Sequence, residues 1–196
     1  MAAARQRETD CGQNWEHRRL SERRGAGAES AAAAQLGLGR TSAIEDGRQS
    51  QAAAEICRGV VRLLAAHGMA AISEVSLANG RRADVIGVGA DGAIWIIEIK
   101  SCLNDFRSDQ KWPEYREFCD RLFFAVDPRF PQEVLPEDAG LIVADRYGGD
   151  ILRQAPEFKL PASRRKSLTL QLARLAAVRL QSVIDPEARL EVLVRG

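Results

Sequence analysis

Three short apolar runs, 71–77, 82–88 and 93–100, are separated only by Ala78-Asn79-Gly80 and Ala90-Asp91-Gly92, and this spacing constrains the fold more than any other feature of the chain. Runs of that length rich in Val and Ile read as strands, and short glycine-closed connections between them read as hairpin turns. An antiparallel meander follows. If Gly92 takes the left-handed position that closes a type I turn, Gly89 faces Ala93 and Asp84 lies opposite Glu98. The same treatment of the first turn, with Gly80 left-handed, puts Glu74 opposite Asp84. Asn79-Gly80 is also a strong two-residue turn signal, and that alternative pairs Val75 with Asp84 instead.

The third run, AIWIIEIK, is an apolar strand that carries Glu98 and Lys100 two positions apart and therefore on one face. A buried carboxylate without a partner costs roughly several kcal/mol and tends to take up a proton. A metal ion or a lysine removes that cost. Carboxylates gathered from neighbouring strands repel one another unless a cation lies between them, and oxygen-only donors suit Mg²⁺ or Mn²⁺. Lys100 on the same face is placed to orient an attacking water and to stabilise charge developing on a phosphate. The pattern points to metal-assisted phosphodiester hydrolysis; its plain alternative is a Glu98–Lys100 salt bridge at a strand end.

Around the meander, Ile56, Val60, Leu63 and Leu64 recur at helical spacing before Gly68, which predicts a helix over 51–67. Pro113 suits the first turn of a second helix, in which Trp112, Tyr115 and Phe118 recur every three residues. The apolar runs 121–126 and 140–145 read as buried strands, and the turn 147–150 leads into 151–155, so that two or three strands follow the second helix. A last helix over 163–184 gathers Leu168, Leu172, Leu175, Val178 and Val183 near one side and leaves Arg164, Arg165, Lys166, Arg174 and Arg179 for others. The expected class is α/β, a central mixed sheet of meander plus further strands flanked by helices. The first 47 residues hold only six large apolar side chains without period, too few to order themselves. The expected organisation is a disordered tail over 1–47, one domain over 48–185 and a C-terminal tail over 186–196.

Net charge is +1 for the 196 residues, but its distribution is uneven. Residues 51–150 carry 11 basic and 16 acidic side chains, whereas residues 151–196 carry 9 and 4. Such a split suits a protein that holds a cation in one place and a polyanion beside it, and solvated faces produce it as well. No run approaches the roughly 18 apolar residues of a membrane span, and residues 1–30 lack the apolar stretch of a signal peptide. The four cysteines, Cys11, Cys57, Cys102 and Cys119, have no spacing that suggests a disulfide framework, a structural zinc site or an iron–sulfur cluster. A cytoplasmic protein without membrane attachment is expected. Arg outnumbers Lys by 24 to 4 and Ala reaches 30, which suggests GC-rich codons and a bacterial source.

At Asp84, Glu98, Ile99 and Lys100 the chain resembles the PD-(D/E)XK nuclease superfamily. More narrowly, GRRADV (80–85), IEIKS (97–101) and SDQKWPEYREFCDRLFFAV (108–126) resemble the MmcB-like bacterial DNA repair proteins. The resemblance covers roughly 50–181. It implies a restriction-endonuclease-like core and an Mg²⁺- or Mn²⁺-dependent hydrolase that cuts DNA in repair. Asp84 and Glu98 would be metal ligands, the Ile99 carbonyl a third, and Lys100 the catalytic lysine. Ala83 stands where the superfamily's name has proline. A first-helix glutamate often joins such sites, and Glu55 is the candidate here, though a glutamate near a helix N-terminus is favoured for its charge alone.

DNA is the expected partner, alongside other repair proteins. Arg81 and Arg82 precede Asp84, and the register sets Arg82 against Lys100, two cations that invite a phosphate. Ser101, Asp109, Gln110, Lys111 and Tyr115 surround the start of the second helix and are candidates for phosphate contact or for orienting the ligands. Trp112 and Tyr115 can stack on bases, but their place beside Phe118 is the habit of core residues. Arg164, Arg165 and Lys166 open the last helix and are candidate backbone contacts. A non-cleaving DNA-binding or scaffold module on the same fold, or an RNA nuclease, would share these features.

Overall fold

The structure is a computed structural model, and it describes residues 51–109 and 111–187. The expected tails lie outside those residues, apart from Pro186 and Glu187. The elements run α1 (Gln51–Ala66), β1 (Ala70–Ser76), β2 (Arg82–Val88), β3 (Ile94–Lys100), α2 (Leu103–Ser108), a 3₁₀ helix (Trp112–Phe118), β4 (Arg121–Val126), a single 3₁₀ turn (Gln132–Val134), β5 (Gly140–Ala144), β6 (Gly149–Arg153) and α3 (Ala162–Ile184). The six strands form one sheet in chain order.

Both hairpin turns take the three-residue form. Gly80 and Gly92 have φ of 79° and 81°, a conformation that glycine adopts without steric cost. The Leu77 N–H donates to the Arg81 carbonyl at 2.7 Å and the Gly89 N–H to the Ala93 carbonyl at 2.9 Å, which closes each turn. The resulting register pairs Val75 with Ala83 and Val85 with Ile97, as the Gly-closed turns require. β3, β4 and β5 are parallel, so the chain must cross over between them, first through α2 and the 3₁₀ helix and then through 127–139. β6 returns antiparallel to β5. The sheet is mixed, an antiparallel meander plus further strands, and it is flanked by helices, as the sequence leads one to expect.

Alternation along the strands divides the core. Ile56, Val60, Leu63 and Leu64 of α1 pack on Val85, Ile97, Ile99, Phe123 and Ile142. On the other side, Ile86, Ile94, Ile96 and Leu122 meet Tyr115, Phe118 and the α3 residues Leu168 and Leu172. Two local expectations are corrected. The helix expected to open at Pro113 is a 3₁₀ helix, preceded by the separate α2, because Trp112, Tyr115 and Phe118 recur at three residues, the repeat that eclipses side chains in a 3₁₀ helix. The turn expected over 147–150 gives way to a strand at Gly149, because Asp145 turns the chain early by accepting the Tyr147 and Gly148 N–H groups at 2.7 and 3.2 Å.

Candidate active site

The β2–β3 ladder stops at Val85–Ile97, although β2 extends back to Arg82 and β3 onward to Lys100. Where the two backbones part, side chains take the place of backbone partners. The Ile99 N–H donates to Asp84 Oδ2 at 2.8 Å, and the Asp84 N–H donates to Glu98 Oε1 at 3.4 Å. β4 pairs with β3 from Trp95 through Lys100 and so fixes the other side of this strand. The opening forms a cleft of about 250 Å³ lined by Glu74, Arg82, Asp84, Glu98, Lys100 and Tyr115, among others.

Burial and like charge set the chemistry here. Glu98 is 3% exposed, and its carboxyl is held well above the ordinary range, first by burial and then by the charge of Asp84. Asp84 is raised to about 6, again chiefly by burial, although the Ile99 N–H and the charge of Lys100 work the other way. Lys100 is 4% exposed. Burial opposes its charge, but the hydrogen bond and charge of Asp109, helped by Glu98, outweigh burial and raise it. Its Nζ lies 2.5 Å from Asp109 Oδ2, so the salt bridge of this lysine runs to Asp109. The Tyr115 hydroxyl donates to the Arg82 carbonyl at 3.0 Å, and burial followed by the charges of Glu98 and Asp84 pushes its own ionisation upward.

Glu74 also reaches the cleft, from a left-handed backbone at φ 53°, which is strained for a residue with a side chain. Arg179 of α3 holds that backbone by donating to the Ser73 and Glu74 carbonyls at 2.6 and 3.1 Å. The Glu74 carboxylate pairs with Arg82 at 2.7 Å. Among the described residues no three His, Cys, Asp or Glu side chains approach closely enough to enclose an ion. The donors at hand are two carboxylates, Asp84 and Glu98, with the Ile99 carbonyl beside them. That set fits a hard cation completing its shell with solvent.

The other expected residues divide by place. Ser101 lines the cleft with Asp105 and Ala53. On α1 the cleft is met by Ala53, and Cys57 one turn later feels the charges of Asp84 and Glu74. Glu55 lies about 200° around the helix from Ala53, accepts from Gln51 at 3.3 Å and acts on Arg129. Arg81 turns away to a two-point pair with Glu114 at 2.9 and 3.0 Å. Lys111 is exposed, and Gln110 lies outside the described residues. Arg164 pairs with Glu117, and Lys166 is exposed on α3. Arg165 grips Asp120 with two bonds of 2.6 Å and donates to the Gly92 carbonyl, at the end of β3 remote from Lys100. Asp120 in turn accepts the Ile94 N–H at 2.7 Å, so this pair ties α3 to the sheet.

Asp105, Ala53 and Cys57 are the lining or neighbouring residues that sequence reasoning missed. Asp105 carried one usable signal, an acid in the first turn of a short helix beginning after Cys102.

Fold and cleft together define an α/β domain with a six-stranded mixed sheet and a pocket that holds one buried carboxylate, Glu98, one half-buried carboxylate, Asp84, and one buried lysine. The chain belongs to the MmcB-like family of DNA repair proteins, whose profile matches residues 40–187. No curated protein matches it. Among solved structures, the SPO1766 protein of unknown function from Silicibacter pomeroyi is 48% identical, with a TM-score of 0.70 over 71% of this chain and 96% of that one. A repair endonuclease from Pyrococcus abyssi is 20% identical over 42% of this chain and 40% of its own, at a TM-score of 0.31, a likeness too slight to bear on the fold. No helix among the described residues is long and apolar enough to cross a membrane.

Proposed function

We propose that this protein is a cytoplasmic, Mg²⁺- or Mn²⁺-dependent nuclease that hydrolyses phosphodiester bonds of DNA during repair. The observation that carries the proposal is the convergence of Asp84 and Glu98 where β2 and β3 part, each raised by burial, with Asp84 adding to the push on Glu98. A buried and a half-buried carboxylate that repel one another are stabilised together by a divalent cation. The residues that would hold it are Asp84, Glu98 and the Ile99 carbonyl. When bound, the cation supplies Lewis acidity and charge neutralisation at a phosphate.

The chain's own groups supply the rest. Asp109 keeps the Lys100 ammonium charged and fixed in a buried position, where it stabilises negative charge developing on the phosphate and orients the attacking water. Arg82 lies at the mouth with its side chain 47% exposed, within reach of a neighbouring phosphate once it exchanges Glu74 for the substrate. Tyr115 is fixed by its bond to the Arg82 carbonyl and packs the wall rather than an open stacking surface. Family membership supports DNA as the polymer and repair as the setting.

The test is direct. Purified protein is given single-stranded, duplex, flapped and gapped DNA, and RNA of the same lengths, with Mg²⁺ or Mn²⁺. Cleavage of DNA that disappears in Asp84→Asn and Glu98→Gln supports the proposal. Binding without cleavage under both metals favours a scaffold on the same fold, and preferential cleavage of RNA overturns the substrate.

A further inference from the structure

The exposed ridge of α1 and the turn after β5 form a second feature, apart from the residues that line the cleft. Arg58 and Arg62 stand four residues apart, neighbours on the solvent face of α1. Arg62 Nη1 donates to the Arg146 carbonyl, which joins the ridge to the turn. The Arg146 guanidinium lies 4.9 Å over the ring of Tyr147, and Tyr147 is 72% exposed, the most exposed large apolar side chain of the described residues. An aromatic ring held this far out of the core has no packing reason to be there.

The turn is presented rigidly. Asp145 caps it through the Tyr147 and Gly148 N–H groups, and the Asp145 N–H donates to the Gly148 carbonyl at 2.9 Å. Gly59 of α1 packs so closely beneath it that a Cβ there would lie 2.0 Å from the Asp145 carbonyl and 2.4 Å from the Gly148 carbonyl. Of the acidic groups, Asp145 is engaged in the cap and Glu55 lies beside Gln51 with its charge felt by Arg129, while Asp150 is exposed on β6.

We propose that Arg58, Arg62, Arg146 and Tyr147 form a docking platform for single-stranded DNA, with Tyr147 stacking on one unpaired base and the arginines on backbone phosphates. Arginines beside a projecting aromatic ring are the two components of single-strand binding, charge for the backbone and a π-face for any base. A duplex, whose bases are already stacked, cannot use the ring. The platform lies on the helix that also walls the cleft: from Ala53 to Arg62 is nine residues, about 14 Å along α1. Nine residues also turn half-way around the helix, so a strand lying across Tyr147 must pass around α1 to reach Asp84 and Glu98. The part of the inference that leads the strand to the cleft rests on the nuclease reading, whereas the binding does not.

Fluorescence anisotropy of the full chain in EDTA, where no divalent ion permits cleavage, tests it with a labelled 20-nucleotide oligo-dT and a hairpin duplex of equal length. Wild type should prefer the single strand. Tyr147→Ala should weaken single-strand binding roughly five- to hundredfold, the range for losing one stacked base, and Tyr147→Trp should restore it. Arg58→Ala and Arg146→Ala should each lower the slope of log K against log salt by about 0.7, as loss of one phosphate contact does on a single strand. Thermal unfolding midpoints equal to wild type exclude misfolding. Wild-type-like binding by Tyr147→Ala, or equal affinity for the duplex, overturns the platform. Single-strand binding through Tyr147 by a wild-type protein that cleaves nothing with either metal leaves the platform standing and removes the nuclease reading instead.

Discussion

Lys100 and Asp109 form a salt bridge of 2.5 Å in which the lysine side chain is only 5% exposed and the aspartate 24%. An ammonium at that depth keeps its charge only because a carboxylate meets it, and loss of the carboxylate leaves the charge buried and unpaired. Asp109 follows directly on α2, so the segment between β3 and the 3₁₀ helix serves to bring this carboxylate back over the strand end.

Asp109→Asn is expected to loosen Lys100 while leaving Asp84 and Glu98 in place. Mn²⁺ affinity, read by calorimetry, should stay within about threefold of wild type, and cleavage should fall by ~10², the scale of a lost acid–base or charge-stabilising group. Asp109→Glu should recover part of it. A variant that cleaves like wild type would show that Lys100 needs no such partner.

Asp84→Asn and Glu98→Gln should each weaken Mn²⁺ binding and abolish cleavage together, because hard cations depend on carboxylate charge. Lys100→Ala removes no ligand, so metal binding should persist while cleavage falls by ~10² or more. DNA affinity should survive all three substitutions. Parallel calorimetric titration and cleavage assays separate the two patterns.

The same pair sets a pH dependence of stability in the metal-free protein. Asp84 is raised to about 6 and Glu98 is raised as well, so the folded state holds these protons more tightly than the unfolded chain does. Their stabilising contribution is complete below the ordinary carboxylate pKa of about 4, and that of Asp84 is lost as pH rises through about 6, that of Glu98 as pH rises through its own raised pKa. In EDTA, Asp84→Asn should flatten the decline in thermal midpoint between pH 5 and pH 7 and raise the midpoint at neutral pH by about 2–6 °C. Added Mn²⁺ should lift the wild type more than the variant.

Arg165→Ala is expected to act on stability and leave DNA binding alone. It removes both bonds to Asp120 and the bond to the Gly92 carbonyl, and leaves a carboxylate that still holds the Ile94 N–H. A loss of about 1–3 kcal/mol in denaturant unfolding, with unchanged affinity for oligonucleotides, is the expected result. Arg165→Ala with wild-type stability and weakened DNA binding would restore this arginine to the nucleic-acid surface.

The opposition of Asp84 and Glu98 was legible in the sequence because it follows from two local properties. Glycine at the third position of each turn fixes the connection, and the two-residue repeat of a strand carries that register to the carboxylates. The same locality made α1, the first five strands and α3 readable, within a few residues at their ends, and left the sixth strand open. What tertiary structure decided is where charges and side faces meet across the chain. The salt bridge of Lys100 goes to Asp109, in a segment whose helix the sequence did not reveal. Glu74 takes a strained backbone because Arg179, 105 residues away, holds its carbonyl. Arg165 looks like a phosphate contact until Asp120, 45 residues earlier, is folded against it. Glu55 and Ala53 are two residues apart, yet only the angle at which α1 lies on the sheet decides that Ala53 walls the cleft. Backbone preferences act over a few bonds and are written in the residues that carry them. The partner of a buried charge depends on which elements pack together, and packing is a property of the whole chain.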